Sequence, residues 1–263
     1  MWHHGCMPKP KPLQQQIADT LRAEIASGKY RPGTHLPSER DLGEEFGAAR
    51  NTVRLGLSTL VAEGLIVSSR GRGYFVRDFV PLTYYASRSE KLLLPDPAST
   101  GDSFVSDTRS EGREPRGEFT LRIEPAVPFV AAALRIEPES PAVIRSVLRF
   151  VDGAPWSIQE TWYPMDLAEG SRLIKPFDIP EGTTRYLRER GHEQVGHWDE
   201  WTTRMPTPAE ASKLELGPGT PVLICRRTGY TTTRPVRITE TTFAGDRNRI
   251  VYESGDLSAR DSE

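Results

Sequence analysis

The sequence predicts an α+β protein in two parts, three helices and a β-hairpin at the N-terminus followed by a larger α+β domain with an antiparallel sheet. Apolar residues recur at helical spacing through the first sixty or so positions. An arginine- and glycine-rich turn then separates two short β-type runs. Beyond about residue 103, strand-like runs punctuated by turn residues alternate with short helical stretches.

Ile17, Leu21 and Ile25 recur every four residues between Gln14 and Ser27, so one face of a first helix is apolar, and Gly28 ends it. Arg31-Pro-Gly-Thr is a turn. In Leu36-Pro-Ser-Glu-Arg-Asp-Leu, Ser38 is an N-cap and Asp41, three residues on, completes a capping-box-like start to a second helix. Leu42 and Phe46 form its buried side, and Gly47 closes it. Val53, Leu57, Leu60 and Val61 mark a third helix that stops at Gly64. Two short helices joined by a tight glycine turn, the second opening on Arg, Asn and Thr, have the form of a helix-turn-helix. Leu65-Ile-Val-Ser and Gly73-Tyr-Phe-Val flank Ser69-Arg-Gly-Arg-Gly, a hairpin with a basic tip. Glycine lets such a turn approach a phosphate or a groove closely, where Arg70 or Arg72 could enter a narrow minor groove. That hairpin is a wing.

The charge is unevenly spread. The net charge of −2 conceals 11 Lys and Arg against 8 Asp and Glu in residues 8–80, and 23 against 28 elsewhere. Within residues 47–77, Arg50, Arg54, Arg70, Arg72 and Arg77 face Glu63 alone, a cluster able to neutralise phosphates or to form a solvated basic face. With 37% hydrophobic and 27% charged residues, the composition is that of a globular protein. No run approaches the roughly 20 apolar residues of a membrane span, and Met1 to Met7 offers no hydrophobic signal core, so no membrane partner and a cytoplasmic location are expected. Cys6 and Cys225 are too few for a disulfide framework or a cysteine-rich metal site.

Residues 79–102 read as a linker, rich in Pro, Ser and Asp, between a domain at 8–78 and another at 103–255. Within the larger domain, Ala126 to Leu134 is helical, and the run from Val143 makes a hairpin with that from Trp156 through Asp152-Gly-Ala-Pro. Thr183 to Arg190 and Pro208 to Leu214 are helical, and the run from Val222 pairs with that from Val236 through Thr233-Arg-Pro.

Four fixed-spacing motifs in residues 12–77 resemble the GntR family of bacterial regulators: Leu36-Pro-Ser-Glu-Arg-Asp-Leu, Thr52-Val-Arg, Leu60-x-x-Glu-Gly-Leu and Arg70-Gly-Arg-Gly-x-x-Val. The resemblance implies DNA contacts from Arg40, Arg50, Asn51, Thr52, Arg54, Arg70, Gly71 and Arg72. Arg50 could grip guanine bidentately, and Thr52 could bond a phosphate or touch a thymine methyl. Arg40 is also placed to pair with Glu44 one helical turn on, and the stem of Arg54 could pack. Ala49 stands where the family usually has Ser or Thr, removing a hydroxyl that could cap the third helix.

Residues 103–255 resemble the UTRA effector-binding domain of the HutC subfamily through Arg149-x-x-Asp-Gly-x-Pro, Thr161-Trp-Tyr-Pro, Pro206-Thr-Pro-Ala-Glu-Ala-x-x-Leu, Gly219-Thr-Pro-Val-Leu and Gly245-Asp-Arg. That resemblance implies a chorismate-lyase-like fold without catalysis that keeps a ligand cavity. Relatives that bind phosphosugars use two strand arginines for the anion and two glutamates for sugar hydroxyls. Here Arg149 matches the second arginine and Val147 replaces the first. Gln159, with Glu160 beside it, takes the first glutamate position and Arg237 the second. Losing one arginine of a pair removes a bidentate phosphate grip, so Arg149 and Arg237 point instead to an acidic metabolite, with Thr183 and Thr184 as further donors. Phe243 completes the candidate pocket.

The expected function is a non-enzymatic, homodimeric repressor of a pseudo-palindromic double-stranded operator, controlled by a small-molecule effector and using no cofactor or metal. A constitutive repressor whose second domain only dimerises is the alternative. An enzyme is the third class, because His192, His197, Asp199 and Glu200 lie close in sequence, but the five-residue step from His192 to His197 is not the four-residue step that puts two ligands on one helix face.

Overall fold

The computed structural model describes residues 11–69, 71–78, 81–87 and 103–254. Two compact units account for them, one running to Val80 with Gly217–Thr220 added, the other comprising the remainder from Pro81. No helix among the described residues is long and apolar enough to cross a membrane.

In the first unit, helices α1 (Leu13–Ala26), α2 (Glu39–Phe46) and α3 (Arg50–Ala62) precede the hairpin of β1 (Ile66–Ser69) and β2 (Gly73–Val76). The apolar stripes meet in one core of Ile17, Leu21, Leu36, Leu42, Val53, Leu57, Leu60, Ile66 and Val76, with Ile25, Phe46 and Val61 half-buried at its margin. Both halves of the capping box between Ser38 and Asp41 are formed, satisfying backbone N–H groups that the first turn would otherwise leave unpaired. Gly47 takes φ 58° and ends α2, a left-handed conformation that favours glycine. Ala49 caps α3 without a side-chain hydrogen bond. A Cβ on Gly56 would lie 2.9 Å from the Gln14 carbonyl oxygen, so α1 and α3 approach through that gap. Arg22 forks onto Glu63 at 2.9 and 2.6 Å, joining α1 to the end of α3.

The second unit contains β3 (Leu82–Tyr85), α4 (Ser103–Ser110), β4 (Pro115–Pro125), α5 (Pro128–Leu134), β5 (Pro141–Val151), β6 (Ala154–Pro164), α6 (Met165–Ala168), a 3-10 turn (Arg172–Ile174), α7 (Thr183–Glu189), β7 (Gly196–Arg204), α8 (Pro208–Lys213), β8 (Val222–Tyr230), β9 (Pro235–Ala244) and β10 (Asn248–Val251). An antiparallel sheet runs in the order β4-β5-β6-β9-β8-β7, while β3 and β10 form a separate parallel pair. Both expected hairpins are present. Asp152 and Gly153, at φ 52° and 82°, turn β5 into β6, the positive-φ pair of a two-residue hairpin. Thr231 receives the amides of Thr233 and Arg234 in the turn between β8 and β9.

Several elements depart from expectation. Leu82–Tyr85 falls within the expected linker yet forms a strand of the second unit. The two sheet edges, β4 and β7, are largely exposed and carry charged residues between their apolar ones, which suits edge strands and keeps them from forming a continuous hydrophobic run.

Alternation along the central strands gives the sheet two different faces. Ile144, Trp162 and Ile238 pack against Val130 and Leu134 of α5 on one side. On the other, Val143 and Tyr163 meet Leu167, Leu173, Ile179 and Leu187, and Val236 joins them at the register shift that interrupts alternation at the start of β9.

Replacing Gly56 with Ala is expected to destabilise the first unit by about 1–3 kcal/mol, read as a lower denaturant midpoint, because the α1–α3 gap has no room for a methyl. Thr207 and Glu210 make a capping box at α8, Arg204 forks onto the same carboxylate at 2.7 Å on each oxygen, and these donors lower the Glu210 pKa to about 2. A depressed folded-state pKa means stabilisation that is complete above the unfolded value and lost as pH falls. Glu210→Gln should therefore cost about 1 kcal/mol at pH 7, and the difference in melting temperature from wild type should close between pH 4.5 and about 2.

Candidate nucleic-acid interface and ligand cavity

The start of α3 and the tip of the hairpin expose the basic residues singled out in the sequence. Arg50 is 78% exposed and Arg54 60%, Asn51 is exposed, and Thr52 is half-buried. Gly71 and Arg72 are exposed at the hairpin tip; Arg70 lies outside the described residues. Arg72 lies over the Phe75 ring at 5.4 Å. Arg40 is 84% exposed and pairs loosely with Glu44, one helical turn on, at 3.5 Å.

Sequence reasoning missed what holds these groups. Glu39, the first residue of α2, is only 16% exposed; it accepts the Arg50 Nε–H at 2.6 Å and lies 3.1 Å from Arg54 Nε. The Tyr74 hydroxyl of β2 donates to the same carboxylate at 3.4 Å. The Arg50 hydrogen bond, followed by the neighbouring charges, holds Glu39 below the ordinary glutamate pKa. Each guanidinium is engaged through Nε, and a guanidinium has four further N–H groups on its two terminal nitrogens. The carboxylate thus orients two exposed cations. A second missed residue, His35, bonds the Arg72 carbonyl through Nε2 at 2.6 Å and sets its ring edge on Phe75 at 4.7 Å, fixing the base of the hairpin tip.

The polar face of the sheet in the second unit borders a cavity of about 450 Å³, within the range of small-molecule sites. Arg149, Gln159, Thr183, Thr184, Arg237 and Phe243 all line it. Glu160 does not: alternation turns it to the opposite face from Gln159, where its carboxylate accepts from Ser146 and Arg122 at 2.9 Å each. Arg149 is 8% exposed, lies over the Phe104 ring at 4.6 Å and donates to Gln159 at 3.2 Å. Arg237 donates to the hydroxyls of Thr183 and Thr184, both at 3.0 Å.

Other lining residues had escaped the sequence reading: Tyr84, Phe104, Arg145, Thr161, Thr239 and Thr241. The period-two row Gln159, Thr161, Tyr163 and its partner Arg237, Thr239, Thr241, Phe243 carried the signal. Tyr84 sat in the expected linker, and β3 brings its ring 5.5 Å from that of Phe243, with Trp201 stacked at 6.0 Å beyond. Arg145 donates to the carbonyls of Leu173 and Phe177. Arg227 is paired with Asp199 at 2.5 Å, and burial pushes the Cys225 thiol up to about 12, leaving little thiolate at neutral pH. Among the described residues, no group of three or more His, Cys, Asp or Glu could hold a metal ion.

Comparison with known proteins follows the same division. Residues 13–76 match the family model "Bacterial regulatory proteins, gntR family", and residues 110–249 match the UTRA domain. The chain is 34% identical over 230 residues to the mannosyl-D-glycerate transport/metabolism system repressor MngR of Escherichia coli, covering 84% of this chain and 86% of that one. It is 28% identical over 255 residues to the transcriptional repressor NagR of Bacillus subtilis, covering 95% and 97%. Among solved structures, PhnF from Mycobacterium smegmatis has the same fold at TM-score 0.57 and 20% identity, over 91% of this chain and 99% of that chain. The chain accordingly belongs to the GntR family and is a bacterial DNA-binding transcription regulator whose second unit is a UTRA effector-binding domain.

Proposed function

We propose that this regulator is a homodimeric repressor of a pseudo-palindromic operator, and that a small acidic metabolite in the cavity of its second domain controls it. The observation that carries the reading is one chain joining a carboxylate-oriented pair of exposed arginines to an arginine-rich cavity. Two relatives named as repressors support the sense of regulation. In this reading the first domain spans 8–78 and the second 103–255 with β3 added to it.

Arg50, Asn51, Thr52 and Arg54 enter the major groove, where the terminal N–H groups of Arg50 address O6 and N7 of guanine. Arg70, Gly71 and Arg72 form the wing, and Arg40 meets a phosphate. One such head has a small footprint, so two-fold symmetry doubles the contacts and sets the half-site spacing. Control follows if the effector binds the DNA-bound and released forms with different affinity; equal affinity would shift nothing.

Selection of bound sequences from a random DNA pool should enrich a two-fold symmetric site, and a failure to enrich one sinks the reading. Arg50→Ala should cost about 1–3 kcal/mol and relax preference at one base of each half-site. Arg72→Ala should weaken binding evenly across sequences and reduce the salt slope by about 1. Glu39→Gln should lower discrimination between cognate and scrambled DNA while nonspecific affinity holds or rises, because the carboxylate that orients Arg50 and Arg54 also repels phosphates. Competition titrations against cognate and scrambled duplexes separate the three outcomes. A protein that binds the operator but is released by no metabolite would be the constitutive alternative.

A further inference from the structure

Among the described residues the cavity is lined by six arginines and three carboxylates, and most of those arginines are already committed. Arg227 is paired with Asp199, Arg185 with Glu189 and Arg188 with Glu193. Arg145 donates to backbone carbonyls of the segment after α6. Two of the lining carboxylates are engaged as well, Glu181 by Arg172 and Glu189 by Arg185; the third, Asp178, accepts the Ile179 amide at 2.8 Å.

Arg237 stands apart. Its terminal nitrogens meet neutral hydroxyls, no carboxylate among the described residues pairs with it, and its Nε is buried with no hydrogen-bond partner among them. A threonine hydroxyl that accepts from a guanidinium keeps its own proton to donate. Arg237, Thr183 and Thr184 therefore offer one positive charge and two O–H donors to a single anionic group in the cavity.

Strand register sets how far this group lies from Arg149. Arg149 is opposite Ser157, and Ser157 is opposite Phe243. Phe243 is six residues along β9 from Arg237, which is about 20 Å at roughly 3.3 Å per residue. The two arginines thus lie toward opposite ends of the cavity. Between them the sheet presents uncharged hydrogen-bonding groups, Gln159, Thr161, Thr239 and Thr241, with Thr161 and Thr239 hydroxyls 3.1 Å apart. Tyr84 and Phe243 form an aromatic wall at the Arg149 end.

We propose that the effector is a polyhydroxylated carboxylic acid, of the sugar-acid class, whose carboxylate sits on Arg237, Thr183 and Thr184. Its hydroxylated body runs along Gln159, Thr161, Thr239 and Thr241 toward the aromatic wall. This rests on the reading above that the cavity takes an effector. A carboxylate matches the single positive charge that Arg237 brings to that end of the cavity, whereas a phosphate monoester carries nearly two charges and is gripped best by paired cations. Val147 beside Arg149 denies it that pair at the other end.

The test is calorimetric titration of the full chain with D-gluconate and D-glucuronate, against D-glucose and D-glucose 6-phosphate as matched neutral and phosphorylated probes. At least one acid should bind and raise the melting temperature, and glucose should not. Arg237→Gln should weaken that acid about tenfold or more, Arg237→Lys should restore part of the loss, and Arg149→Gln should change it less than Arg237→Gln. Melting of the unliganded variants checks that each folds. Binding of the acid that survives Arg237→Gln but is lost in Arg149→Gln overturns the assignment. Binding of glucose 6-phosphate with neither acid bound overturns the ligand class and leaves the effector reading standing if that compound also releases operator DNA. If no probe binds and none changes operator affinity, the class and the effector reading both lose their support.

Discussion

Period-two alternation along β5, β6, β9 and β8 governs the larger domain, because it separates two incompatible surfaces within single strands. Ile144, Trp162 and Ile238 go to the face under α5, while Gln159, Thr161, Arg237, Thr239 and Thr241 go to the cavity. A one-residue slip would exchange the two sets and bury polar groups in the core. The same rule sends neighbours Gln159 and Glu160 to opposite sides, one into the cavity and the other to Ser146 and Arg122. Hydrophobic burial on one face thereby fixes the register that positions hydrogen-bonding groups on the other.

In the smaller domain the corresponding constraint is electrostatic. Arg50 and Arg54 are long, exposed side chains whose ordering costs rotamer entropy. Glu39 reduces their freedom from a position that is itself held by the capped start of α2. Because the anchor uses Nε, the terminal N–H groups of each guanidinium are left to other partners. Ala49 leaves α3 without a side-chain cap, so orientation there comes from a neighbouring helix rather than from the helix's own N-cap.

Much of this was legible beforehand where the cause was local. The apolar stripe of α1, the Ser38 and Asp41 box, the glycine stops and the Asp152-Gly153 turn depend on residues within a few positions of one another. Elements stabilised by distant partners were not. β7 is polar at most positions and pairs along its length with β8. β3 lay in a stretch that reads as linker, yet its hydrogen-bonding partner β10 is more than 160 residues away. The Glu39 to Arg50 contact spans eleven residues and crosses the helix turn, so no i,i+4 rule could reveal it.

The sequence by itself determined the two-part organisation and the helix-turn-helix and wing, since these follow from periodicity, capping and turn chemistry, and it named a minority of the cavity wall. Tertiary structure decided which charges remain available. Asp199 claims Arg227 from the neighbouring strand, Glu189 claims Arg185 one helical turn away, and Arg237 is left with two threonine hydroxyls. Ion pairing depends on side chains coming within a few ångströms in space, and folding sets that proximity between strands that are far apart in the chain.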